Sequence, residues 1–152
     1  MPVLFLTPQT LDAFITRLEA IPADAQPRWG SMSHAKMLKH LRTVNDMSLG
    51  RIEPIDQSNF FSRTVMRFLV FHVFTTWPKG KVKVPDRLTP EPDGNVEEER
   101  RRLVEAWREF VEIAEREPNR RGIHPLVGPQ PLVYWRRMHG MHIDHHLRQF
   151  GV

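Results

Sequence analysis

The sequence predicts an all-α protein: a four-helix bundle with an additional helix at its N-terminus, formed by residues 1–152 as a single domain. Five segments carry apolar residues at helical spacing, which is the main sequence signal for amphipathic helices. Prolines and glycines separate these segments, and no stretch shows a convincing strand pattern. A chain of 152 residues is also the usual length of one domain.

The first two predicted helices have clear start and stop signals. Pro8–Ala20 follows Thr7, a suitable N-cap, and begins with a proline at its first position. His34–Leu49 follows Ser33, another N-cap, and Gly50 is a typical C-terminal stop.

The third predicted helix, Asn59–Thr76, is apolar on most sides and is therefore expected to be the most buried. Its aromatic and β-branched residues leave a strand over Phe68–Phe74 as an alternative. The stretch that follows, Pro78–Gly94, contains four prolines and is predicted to be irregular. Connections of this length are often functional.

The last two predicted helices are Val96–Glu117 and Pro131–Phe150. Asn95 caps the first of them, and Glu98 stands at the capping-box position. Pro118–Gly128 is predicted to be a loop.

Composition excludes several classes of function. The formal net charge is +4, but acidic residues are mixed among the basic ones, so no basic stripe for nucleic acid is present. The most apolar stretch, residues 60–77, is interrupted by Arg63, Arg67 and His72, which argues against a membrane span. Without cysteine the chain has no disulfide, thiolate ligand or cysteine nucleophile. No secretory signal is visible, and we expect a cytoplasmic protein.

Four of the eight histidines lie between positions 139 and 146. On a helix, His142 and His146 are one turn apart, about 6 Å along the axis, and form the smallest chelating pair of imidazoles. His139, Trp135 and Gln149 fall on the same face. Neutral imidazoles suit several transition metals, and a tight site needs a third ligand.

Two histidines are candidates for that third ligand. His40 flanks the apolar stripe of the second helix, and His139 shares the face of the pair. The alternative is that these histidines only cap the end of the bundle, since an isolated H-x-x-x-H is a weak signal. Three further histidines are given structural roles: His34 in solvent, His72 in or beside the core, and His124 in a turn or packed against neighbours.

Three segments resemble a known family. They are Trp29–Leu41 (WGSMSHAKMLKHL), His142–Gly151 (HIDHHLRQFG) and His124-Pro125-Leu126-Val127-Gly128. Together they resemble the DinB-like superfamily, and more narrowly the branch catalogued as domain of unknown function 1569.

The resemblance implies a DinB-like four-helix bundle, often a homodimer, that binds a divalent metal. Its early histidine matches His40 and its late pair matches His142 and His146, which leaves His139, Gln149 and Trp135 as neighbours of the site. Zinc or nickel is the expected metal, and a low-molecular-weight thiol is a further cofactor that characterised relatives use.

Two functions follow as expectations. The first is a metal-dependent enzyme, a thiol-dependent transferase or a hydrolase, that acts on a small molecule the sequence does not identify. The second is a non-catalytic module that assembles through the apolar third helix.

Overall fold

The computed structural model describes residues 4–77, 79 and 83–152. Its α-helices are α1 (Leu11–Glu19), α2 (His34–Ser48), α3 (Val96–Arg116) and α4 (Leu132–Gln149). A hairpin of two antiparallel strands, β1 (Arg121–His124) and β2 (Gly128–Pro131), stands between α3 and α4. Two π-helical turns, Ser62–Met66 and Leu69–Val73, and a 3-10 turn, Asp86–Leu88, complete the described elements.

The prediction of an all-α four-helix bundle is wrong, because the fold contains a β-hairpin and is mixed α and β. Residues 118–128 read as a loop because prolines and glycines crowd the sequence there. In the ladder, Pro129 and Pro131 alternate with Gln130, so both fall on the same edge of β2. A proline on an edge that makes no ladder hydrogen bond does not disturb pairing.

The third predicted helix also differs from the expectation. Residues 60–73, hereafter the π-helical segment, contain both π-helical turns, and a backbone hydrogen bond from Phe74 N–H to the Leu69 carbonyl closes the second one. This segment was predicted to be the most buried helix, which is wrong. Phe60 is 86% exposed and Phe68 58%, while Val70 and Phe71 are among its few buried side chains.

The remaining helices begin and end close to their predicted positions. The Ser33 hydroxyl accepts the Lys36 N–H at the start of α2, and Gly50 follows its end with a φ of +73°. Asn95 and Glu98 form the predicted capping box of α3. α1 begins later than predicted, at Leu11, with Thr10 as N-cap.

The four α-helices share one hydrophobic core, whose largest fully buried side chains include Trp107, Trp135 and Phe110. The hairpin packs against the C-terminal end of α2. A Cβ at Gly122 would overlap the Ser48 backbone, so β1 can lie this close only with a glycine there. This contact places the hairpin beside the end of α4 that carries Trp135 and His139.

A buried carboxylate holds the chain between the 3-10 turn and α3. Glu99 is fully buried and accepts the backbone N–H groups of Asp93 and Gly94 at 2.9 and 3.0 Å. Arg42 and Arg102 pair with the same carboxylate, both at 3.2 Å. The connection is therefore fastened to α2 and α3. Pro78 and residues 80–82 of the predicted irregular stretch lie outside the described residues.

Among the described residues, no helix is both long enough and apolar enough to cross a membrane.

Candidate metal centre

Three histidines from two helices meet at one point. His40 lies on α2, and His142 and His146 lie one turn apart on α4. The Nε2 atom of His142 is 3.1 Å from that of His40 and 3.1 Å from that of His146. One ligand atom from each of the three lies within 4.8 Å of the others, and all three residues are buried. Three buried histidines so arranged could bind a metal ion, since metal–nitrogen bonds of about 2.1 Å require such proximity.

Hydrogen bonds fix the tautomer of two of these rings. His40 donates its Nδ1–H to the Leu88 carbonyl at 2.5 Å, and His146 donates its Nδ1–H to Gln149 Oε1 at 2.8 Å. In a neutral imidazole the other nitrogen then carries a lone pair. Both rings therefore present an unprotonated Nε2 toward His142.

The donor set of the three rings fits a cation. His142 Nε2 lies at hydrogen-bond distance from two lone pairs, yet it carries at most one proton and can satisfy only one of them. A buried lone pair without a donor is unfavourable. A metal ion accepts all three lone pairs at once and removes this conflict.

Burial keeps these imidazoles neutral. It lowers the pKa of His40 below its ordinary value of 6.5, and it lowers the pKa of His146 to about 3, with His40 adding to the shift. The pKa of His142 lies well below 6.5 through burial and through the neighbouring His146 and His40. At neutral pH all three rings are thus in the form that binds metal.

A cavity of about 380 Å³ adjoins two of the three histidines. His40 and His142 form part of its wall, together with side chains from α2, α4, the hairpin and the chain before the 3-10 turn. Most of the wall is apolar or aromatic. Its size and character are those of a small-molecule site.

The three predicted neighbours of the site lie in different places. Trp135 and His139 line the cavity. The indole N–H of Trp135 donates to the Gly122 carbonyl at 3.2 Å, and His139 Nε2 lies 2.9 Å from the Ser48 hydroxyl. His139 is therefore bound to α2 and is not among the three converging residues.

Gln149 lies behind His146, away from the cavity. Its amide N–H donates to the Trp29 carbonyl at 2.8 Å, which turns the carbonyl oxygen toward His146. Gly30 has a φ of +74°, and a Cβ there would lie 3.1 Å from the Gln149 amide nitrogen. Glycine at this position lets the Trp29 carbonyl approach, so the Trp29-Gly30 pair orients a ring on α4.

Other histidines depart from their predicted surroundings. His34 was expected in solvent, but it is buried and its ring lies 5.2 Å from that of Phe150. His72 was expected in or beside the core, but it is exposed. His124 does hold a turn, because its Nδ1 accepts the N–H groups of Leu126 and Val127 at 3.1 and 3.4 Å.

Two residues at the site were missed by sequence reasoning. Trp77 places its ring 5.3 Å from that of His142 and lines the cavity. The Leu88 backbone carbonyl fixes the tautomer of His40. Trp77 had a weak signal, as an aromatic at the end of an apolar run. A backbone carbonyl has none, because any residue supplies one.

Comparison with known proteins identifies a family and no individual relative. No curated protein and no solved structure matches the chain. A family model described as "Protein of unknown function (DUF1569)" matches residues 5–151. That range covers almost the whole chain and includes the three converging histidines, so the chain belongs to the DUF1569 family.

Proposed function

We propose that this protein binds a divalent transition metal through the Nε2 atoms of His40, His142 and His146 and is a metal-dependent enzyme acting on a small molecule. The proposal rests on the convergence of these three buried histidines. The hydrogen bonds from His40 Nδ1–H to Leu88 and from His146 Nδ1–H to Gln149 leave the Nε2 lone pairs of both rings available to a metal. The proposed DinB-like relationship points to the same three residues.

The surroundings support a reactive site as well as a bound ion. Three imidazole ligands are uncharged, and a metal that they hold keeps its positive charge and can activate a bound water or thiol. The cavity beside His40 and His142 provides room for a substrate, and most of its wall is apolar. Since the chain has no cysteine, a thiol would have to come from a low-molecular-weight cofactor. We therefore propose a thiol-dependent transferase or a hydrolase, with zinc or nickel as the metal.

Metal analysis of protein purified without a histidine tag tests this directly. We expect about one equivalent of a transition metal, or uptake of one equivalent when zinc or nickel is titrated into the metal-free protein. Acid should release the metal, but only well below about pH 6, because burial lowers the pKa values of these imidazoles and protons compete for their nitrogens only in that range. Less than about a tenth of an equivalent, with no uptake on titration, would refute the metal site.

A second candidate function rests on a different observation. The π-helical segment exposes Phe60, Phe61, Val65 and Phe68, each between 44% and 86% exposed. Clustered exposed aromatics mark interaction surfaces. We propose that this surface pairs with a second copy of the chain, which gives a homodimer, whether or not the protein is an enzyme.

Light scattering coupled to size exclusion tests the dimer. The wild type should run as a dimer, and a variant with Phe60→Ser and Phe68→Ser should run as a monomer with unchanged metal content. A wild type that stays monomeric at all concentrations would exclude the dimer and leave the metal site untouched.

A further inference from the structure

The side chains that line the cavity are mostly uncharged. Its lining includes two tryptophans and three methionines: Trp77, Trp135, Met47, Met66 and Met138. Among the described lining residues, Lys83 is the only one with a charged side chain, and it is exposed at the rim. An interior of flat rings and polarisable sulfur fits an uncharged aromatic molecule.

His124 adds one oriented hydrogen-bond donor to this wall. Its Nδ1 accepts two backbone N–H groups, from Leu126 and Val127, and so cannot carry the proton. The proton of the neutral ring is therefore on Nε2, at the opposite edge. No residue in the described ranges accepts a hydrogen bond from this Nε2–H, and the ring lines the cavity.

Neighbouring rings hold His124 in place. Its ring centroid lies 5.5 Å from that of Trp135 and 6.4 Å from that of Trp77. Burial lowers the pKa of His124 to about 4, so the ring is neutral at physiological pH.

Two of the other donors near the cavity are already bound to backbone carbonyls. The Trp135 N–H is bound to the Gly122 carbonyl, and His40 Nδ1–H to that of Leu88. Gln57 also lines the cavity, but it is exposed.

We propose that the cavity takes an uncharged aromatic molecule bearing a carbonyl-type oxygen, and that His124 Nε2–H donates a hydrogen bond to that oxygen. This makes His124 a specificity-determining residue that does not bind the metal. Calling the bound molecule a substrate rests on the proposed function, whereas binding itself does not.

Two probes of similar size separate the hydrogen bond from apolar burial: acetophenone, which has the oxygen acceptor, and ethylbenzene, which lacks it. Affinities are measured by calorimetry or by ligand-observed magnetic resonance, and the readout is the ratio of the two. In His124→Phe an aromatic ring remains, slightly larger than imidazole, but the donor is lost. In His124→Asn the side-chain oxygen can still accept the turn N–H groups, which protects the fold, while the amide nitrogen is one bond short of the position of Nε2.

We expect acetophenone to lose about fivefold in affinity relative to ethylbenzene in both variants, the effect of one neutral hydrogen bond. An unchanged ratio in a folded variant, or no binding of either probe by the wild type, would overturn the proposal. Each titration is run on metal-free and on zinc-loaded protein. Probe binding without zinc uptake would refute the metal site alone, and zinc uptake without probe binding would refute only this assignment.

Discussion

α4 and the π-helical segment are both rich in ring-bearing side chains, but α4 buries most of its rings and the π-helical segment exposes most of its own. α4 buries Trp135, His139, His142 and His146, all less than 10% exposed. The π-helical segment leaves Phe60, Phe61 and Phe68 more than half exposed. α4 has α1, α2, α3 and the hairpin around it, whereas the π-helical segment lies at the periphery. Apolar periodicity tells which residues share a face of a helix, but not whether another element covers that face.

The largest expected effect tests the difference in burial. Trp135→Ala should lower the free energy of unfolding by about 3–5 kcal/mol, because it empties a core position and breaks the bond to Gly122. Phe60→Ala should change it by less than about 0.5 kcal/mol in the monomer. Urea unfolding measures both. A comparable loss in the two variants would show that the π-helical segment is covered after all.

The second expected effect is on metal affinity, and it compares a histidine of the proposed site with an exposed one. His142→Ala should weaken zinc or nickel binding at least about 100-fold, because removing even the outer partner of a ligand costs about 10–100-fold. His72→Ala, on the exposed π-helical segment, is the matched control and should bind as the wild type does. Calorimetric titration of metal-free protein gives both affinities. Equal affinity in the two variants would remove His142 from the site.

A smaller effect is expected from the residue behind the site. Gln149→Leu removes the acceptor of His146 Nδ1–H while keeping a similar volume, so metal affinity should fall by about 10–100-fold. Gln149→Glu restores an acceptor and should recover part of the loss. If the Gln149→Leu variant binds metal as tightly as the wild type does, the orientation of His146 does not depend on this hydrogen bond.

The smallest expected effect is the change in the free energy of unfolding per pH unit. Burial lowers the pKa of His139 to about 3 and that of His124 to about 4, whereas the unfolded chain takes up protons near 6.5. The unfolded state therefore binds more protons between these values, and stability falls as the pH falls below 6.5. Each of the two histidines contributes about 1.4 kcal/mol per pH unit.

Urea unfolding of metal-free protein at two pH values, one above and one below 6.5, measures this slope. His139→Gln should make it shallower by about one proton, since glutamine keeps a donor for Ser48 but does not titrate. A stability that does not change on acidification would contradict the burial of these rings.

Helical spacing predicted the pair His142 and His146, and the resemblance to a known family then favoured His40 over His139 as the third residue, whereas the fold class was predicted wrongly. The i, i+4 pair depends only on helical geometry, and the capping signals of α2 and α3 are local, so both could be read from the chain. The hairpin could not, because Pro129 and Pro131 are strand-breaking residues everywhere except on an unpaired edge. The exposure of Phe60 and Phe68 depends on what packs elsewhere. The bond from His40 to the Leu88 carbonyl depends on a connection held by Glu99.

His40 and His142 are separated by 102 positions in the chain. A metal held by both would therefore join distant parts of the polypeptide, as a disulfide does in chains that have cysteine. A cross-link that closes a loop of that length reduces the entropy of the unfolded chain, which stabilises the folded state by about 4–5 kcal/mol. Bound metal would then act as a reversible cross-link, and a fragment of the chain that ends before α4 would lack two of its three ligands.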